Sequence, residues 1–266
     1  ARMFGEYVDL VGACPFDAEG LAKWEARCYP GKPFRALEGG GHVPIDVETW
    51  FEPEKGEGYF VLADPSAGIE DERKEHDPSC IWVVSRSKKQ VVARWNGYEP
   101  AYRLGQIALK LAEKYNRALV AWERNSGYGE AFYLGLKGYG NVYLEYHHDA
   151  RKTSFHERLG WTTSATSRGT IVGALQQAIL QDGLIVLSGE AISSFAGFTM
   201  QRTGKVEAGH GRHDEDVILG GLAAHFLGTI PFYKREESPG TVFERDVLGV
   251  REVDSGSRWD DAASLG

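Results

Sequence analysis

Cysteine is scarce in this chain: Cys14, Cys28 and Cys80 are the only three among 266 residues. An odd number at no metal-ligand spacing excludes a disulfide framework and a zinc ribbon. His147-His148, with His210 and His213, match no standard zinc spacing either. There is no run of about 18 apolar residues, as a membrane-crossing helix needs, and no basic-then-apolar opening of the secretory kind. The expected setting is therefore reducing and cytoplasmic, away from membranes. Positive charge is also short: 30 Lys and Arg stand against 38 Asp and Glu, a net charge of −8. That excludes a basic nucleic-acid surface over the whole chain, but not a local basic groove. Gly39-Gly40-Gly41 is not followed by Gly-Lys-Ser/Thr, so it is no phosphate-binding loop. No Gly-x-Ser-x-Gly elbow is present, which removes the commonest serine hydrolase arrangement. No internal repeat is evident.

What is present suits one large domain with appended segments. The opening Ala1-Arg2-Met3 reads as part of something longer. Residues 1–57 read as a connector packed on the domain's edge, irregular apart from one helical candidate from Ala18 to Cys28. From residue 58 the pattern becomes regular. Strands are predicted over 59–64, 80–85, 89–95 and 117–122, with short ones near 141–144 and 184–187. A helix opens at Glu99-Pro100 and presents Leu104, Ile107, Ala108, Leu111, Ala112 and Tyr115 on one face. Further helices are predicted over 128–137, after Ser167-Arg168-Gly169, and from 214. The stretch 192–207 reads as a polar hairpin, and the tail 229–266 as peripheral or partly disordered. A three-strand antiparallel meander followed by strands alternating with helices describes an α/β domain over 58–228. Its central mixed sheet should have five or more strands, some of them parallel, flanked by helices.

Three acidic residues stand out by position. Asp64 ends the apolar run Tyr59-Phe60-Val61-Leu62-Ala63, and Pro65 stops that strand. Glu123 ends Ala118-Leu119-Val120-Ala121-Trp122, followed by Asn125-Ser126-Gly127, where the chain can turn into a helix. Asp214 opens the last helix. A carboxylate at the end of a buried strand costs stability unless it is paired, so three arriving from different elements suggest a shared task. Holding divalent metal for phosphoryl chemistry is the commonest. Each also has a plainer reading: Asp214-Glu215-Asp216 as helix-start acids, Asp64 as a turn residue before proline, Glu123-Arg124 as a surface pair. The run Glu70 to Asp77 reads as a solvated loop.

Four segments, in order over residues 59–227, resemble the nuclease domain of tailed-bacteriophage large terminase subunits, in the RNase H-like (RuvC-type) superfamily. They are Val61-Leu62-Ala63-Asp64-Pro65-Ser66-Ala67-Gly68, then Val120-Ala121-Trp122-Glu123-Arg124-Asn125-Ser126-Gly127. Gly160-Trp161-Thr162-Thr163 with Ser167-Arg168 follows, and last Gly211-Arg212-His213-Asp214-Glu215-Asp216-Val217. Phe4-Gly5-Glu6-Tyr7 resembles that family's passage out of its ATPase domain.

The resemblance implies an RNase H-like fold and an endonuclease that cuts double-stranded DNA with little sequence preference during genome packaging, in the host bacterial cytoplasm. It implies two Mg²⁺ or Mn²⁺ ions held by Asp64, Glu123 and Asp214. Glu215 would be a further ligand where the family has Asp. Phosphate contacts would come from Lys152, Arg168, Lys205 and Arg212; Arg168 is followed by glycine where the family often has proline. Partners would be the ATPase domain of the same chain, the portal protein and the small terminase subunit. The alternatives are another RNase H-like nuclease, such as a junction resolvase or transposase, or a catalytically silent module that docks on a portal or motor.

Overall fold

Alternating burial along the apolar runs builds a sheet that is covered on both faces. The computed structural model describes residues 13–37, 44–68, 77–124, 127–149, 154–200, 206–208, 214–231, 241–246 and 249–254. Strands β1 (Lys32–Leu37), β2 (Ile45–Thr49), β3 (Tyr59–Asp64), β4 (Ser79–Ser85), β5 (Gln90–Gly97) and β6 (Leu119–Trp122) form one mixed sheet. Its order is β1-β2-β5-β4-β3-β6. All neighbours are antiparallel except β3 and β6, which run parallel with Leu62 opposite Ala121 and Ala63 opposite Trp122.

Successive strand residues point to opposite faces, and β3 divides accordingly. Phe60 and Leu62 enter one core; Tyr59, Val61 and Ala63 enter the other. The first core is closed by α1 (Ala18–Glu25), α4 (Ala165–Leu180), α5 (Gly189–Ala196) and α6 (Glu215–Thr229). The second is closed by α2 (Ala101–Lys114) and α3 (Tyr128–Gly135). The predicted apolar face of α2 is the buried one, from Leu104 to Tyr115. Helices α4 and α6 cross closely at Gly221, where an added Cβ would lie 2.8 Å from the Ile171 carbonyl oxygen.

Several elements differ from the sequence expectation. Residues 1–57 were expected to be irregular beyond one helix, yet β1 and β2 lie there and extend the sheet. Both are edge-side strands, with partly exposed, charge-interrupted patterns (Lys32, Arg35, Asp46, Glu48) that carry little apolar signal. The expected strand at 184–187 is a single parallel bridge between Gln90 and Ile185. In the predicted hairpin at 192–207, α5 runs on to Ala196, and β9 (Phe198–Met200) pairs with β10 (Val206–Ala208). Near 141–144 a bridge joins Val142 to Val120, and a separate hairpin follows, β7 (Leu144–Asp149) with β8 (Ser154–Leu159).

Residues 233–266 form a unit of their own, and its described part is an antiparallel hairpin, β11 (Thr241–Asp246) with β12 (Gly249–Asp254). Among the described residues no helix is long and apolar enough to cross a membrane.

Candidate active site

The register of the two parallel strands decides where the first two acids go. Ala63 and Trp122 are opposite one another, and the Glu123 amide donates to the Ala63 carbonyl at 2.9 Å. Asp64 and Glu123 therefore leave the sheet side by side at the same end. They also share a face: Asp64 follows Phe60 and Leu62, and Glu123 follows Leu119 and Ala121, all in the core covered by α4 and α6. Helix α6 starts at that end, with Asp214 at its cap position and Glu215 in its first turn. Gly127, at φ +79°, makes the turn from β6 into α3. Only glycine adopts this backbone without strain.

A cavity of about 200 Å³ results, lined by Asp64, Glu123, Asp214 and Glu215. The segment 160–163 runs alongside β6: the Trp161 amide donates to the Trp122 carbonyl at 2.8 Å, and the Arg124 amide to the Trp161 carbonyl at 2.9 Å. That brings the Thr163 side chain into a hydrogen bond with Glu123. Helix α4 begins beside it through a capping box, in which the Ser167 amide and Ser164 amide donate to each other's hydroxyls at 3.1 and 2.7 Å. Arg168 sits in this first turn: the helix was expected after Ser167-Arg168-Gly169 but begins at Ala165. It lines the cavity and pairs with the Asp214 carboxylate.

The electrostatics are those of negative charge short of a counter-ion. Burial raises the Asp64 carboxyl well above the usual range, and Glu123, Glu215 and Asp214 push it further. Glu123 is raised chiefly by burial, with Asp214 adding to it, while the Thr163 hydrogen bond and the Arg168 charge act the other way. Glu215 is pushed up to about 8, again mainly by burial, with Asp214, Asp77 and Asp216 contributing. An all-oxygen donor set of this kind fits a hard divalent cation and not a soft one. Among the described residues, however, no three side chains are already gathered into a ligand group. Arg168 holds Asp214.

Of the expected site residues, the structure brings together Asp64, Glu123, Asp214, Glu215 and Arg168. Lys152, Lys205 and Arg212 lie outside the described residues. Sequence reading missed Asp77 and Tyr128, both on the cavity wall. Asp77 was expected to be loop; the rest of that acidic run, 70–76, is not described. Its position had a topological signal: β3 and β4 are antiparallel neighbours, so the residue before Pro78 and β4 must return to the end where Asp64 leaves β3.

No family model matches the chain, and no curated relative does. Among solved structures it is similar to the large terminase nuclease of thermophilic phage G20c. That match has 14% identity over 77% of this chain and 97% of that one, with a TM-score of 0.50. The same nuclease with bound magnesium aligns with a TM-score of 0.52, at 14% identity over 77% and 96% of the two chains. The large terminase nuclease domain of Thermus phage P74-26 aligns at 15% identity over 81% and 99%, also with a TM-score of 0.52. The chain thus has the RNase H-like fold of large terminase nuclease domains.

Proposed function

We propose that this chain is a metal-dependent endonuclease that cuts double-stranded DNA with little sequence preference, as the nuclease part of a phage packaging terminase. The observation that carries the reading is the convergence of Asp64, Glu123, Asp214 and Glu215, from three separate elements, on one cavity. The likeness to nucleases, one of them solved with magnesium, supports it. Asp64, Glu123 and Asp214 would hold the two ions, with Glu215 as a further oxygen ligand. Two divalent ions, Mg²⁺ or Mn²⁺, would supply an activated water and stabilise the leaving oxygen of a phosphodiester.

The chain's own residues do the remaining work. The strand ends hold the carboxylates close together, where burial makes their charge costly, and a bound cation would relieve that cost. Arg168 partly neutralises Asp214. It stands where a phosphate would arrive, with Lys152, Lys205 and Arg212 as further phosphate contacts. Such contacts position the duplex without reading its sequence, which accounts for weak specificity. The same reading makes a terminase ATPase domain, the portal protein and the small terminase subunit the partners. It puts the work in the host bacterial cytoplasm.

The test is digestion of supercoiled plasmid with Mg²⁺, with Mn²⁺ and with EDTA, using the native chain and Asp64→Ala. Metal-dependent linearisation that is lost in the variant supports the reading. Absence of cleavage by folded protein in either metal rejects it in favour of a docking module.

A further inference from the structure

The carboxylate of Asp216 faces away from the metal-type cavity, into the sheet. Its Oδ1 accepts from Arg94 Nε at 2.9 Å, Trp82 Nε1 at 2.9 Å and Cys80 Sγ at 3.4 Å. Its Oδ2 accepts from Arg94 Nη2 at 2.8 Å, and Ser194 Oγ lies 3.3 Å away. The side chains of Asp216 and Arg94 are 3% and 6% exposed. Arg94 also reaches Glu190 of α5 through Nη1 at 2.8 Å. One carboxylate in the first turn of α6 thus ties together β4, β5 and α5.

Burying a charge pair is a costly way to gain stability, since apolar residues of similar volume usually do as well. What such a pair provides is direction, and it acts at the end of α6 that carries the acids. The helix is buried continuously from Glu215 to Ala223, and its close crossing with α4 at Gly221 lies further along the helix, away from Asp214 and Glu215. Asp214 makes no side-chain capping bond to the helix. Rotation matters here because Glu215 lines two cavities. One is the site with Asp64 and Glu123; the other, of about 260 Å³, lies against Arg94, Asn96, Glu190 and Ser193. A modest turn of α6 would carry the Glu215 carboxylate out of the first and into the second, and would move Asp214 with it.

We infer that Arg94 and Asp216 are positioning residues, whose bidentate pair fixes the rotation of α6 and thereby delivers Asp214 and Glu215 to the metal ions. The inference rests on the nuclease reading above. It separates placement of the ligands from stability of the fold, and the two respond differently to substitution.

The test uses the full chain and the double variant Arg94→Met with Asp216→Asn. This removes both charges, keeps an acceptor for Trp82 Nε1, and loses the two-pronged clamp. Three quantities are measured: thermal melting, Mn²⁺ binding by calorimetric titration, and kcat and KM for plasmid cleavage. The expected result is a fold melting close to the native one, with Mn²⁺ bound at least about tenfold more weakly. The expected kinetic change is a lower kcat with the KM for DNA unchanged. Arg94→Lys retains the charge but not the planar fork, and should weaken Mn²⁺ binding to an intermediate degree; it serves on its own if the double variant does not fold. Native Mn²⁺ affinity and cleavage in a folded variant overturn the positioning role and leave the nuclease standing. A native chain that neither binds Mn²⁺ nor cuts overturns both.

Discussion

Arg168, in the first turn of α4, is ion-paired with Asp214, at the start of α6, across the mouth of the acidic cavity. The guanidinium lies where positive charge is wanted, and so competes with a metal ion for the same carboxylate. Arg168→Ala is therefore expected to act in opposite directions on two measurements. Mn²⁺ affinity, by titration, should be unchanged or higher, because Asp214 is released. Cleavage should fall by about tenfold, the equivalent of one charge-assisted contact to phosphate. A variant that loses metal binding together with cleavage would show that Arg168 organises the acids instead of competing for them.

Asp64 is partly buried and surrounded by Glu123, Glu215 and Asp214, which push its carboxyl up beyond the effect of burial. Asp64→Asn keeps its shape and removes the charge. Cleavage should drop by at least about a hundredfold, as when a principal source of transition-state stabilisation is lost. The metal-free protein should nevertheless melt at a higher temperature than the native one, because repulsion among the remaining acids is relieved. Paired plasmid digestion and melting in EDTA check both halves. A lower melting temperature would mean that Asp64 makes structural bonds that outweigh its charge.

The legible parts of the fold were those in which one physical pattern dominates. The apolar run 59–64 and the i, i+3, i+4 face of α2 define their elements by themselves. The two strand-end acids could be placed because a strand-ending feature follows each, Pro65 after Asp64 and the turn at Gly127 after Glu123. What stayed hidden depends on pairing over long distances. β1 and β2 are strands because a sheet edge needs partners, and their own sequences are half polar. Asp216 was indistinguishable from a helix-start acid, because its partner Arg94 lies 122 residues earlier. Asp77 looked like the end of a solvated run, and only the antiparallel return of β4 places it at the site.

Two helical glycines offer a contrast in how closely α4 and α6 are packed. At Gly221 a Cβ would lie 2.8 Å from the Ile171 carbonyl oxygen, and backbone at a helix crossing does not yield cheaply. Gly221→Ala should cost about 1–3 kcal/mol, the usual range for overpacking. At Gly173, inside α4, a Cβ meets nothing within 4 Å. Gly173→Ala should add about 0.5–1 kcal/mol, because the unfolded chain loses freedom that glycine would keep. Urea denaturation of the two variants against the native chain measures both. Equal effects at the two positions would contradict the close crossing.

The acid cluster should also set how stability varies with pH in the metal-free chain. Asp64, Glu123 and Glu215 are all raised above their ordinary values in the folded state, Glu215 from 4.5 to about 8. A carboxyl raised on folding binds its proton more tightly in the native state than in the unfolded one. Its contribution is then fully present below the unfolded value and is lost as pH rises through the folded value. For Glu215 that window runs from 4.5 to about 8. Asp216 works the opposite way: Arg94 and its hydrogen bonds hold it low against the cost of burial, so its contribution is lost only as pH falls below the ordinary 3.8. In EDTA the melting temperature should accordingly be higher near pH 5.5 than near pH 8, with both values chosen at about the two sides of this window. Mg²⁺ binds the ionised carboxylates, so it should raise the melting temperature more at the higher pH, where fewer protons have to be displaced. A metal-free melting temperature that is flat or rising between these pH values would show that the carboxyls are better solvated than their burial implies. A Mg²⁺ effect equal at both would place the ion away from the cluster.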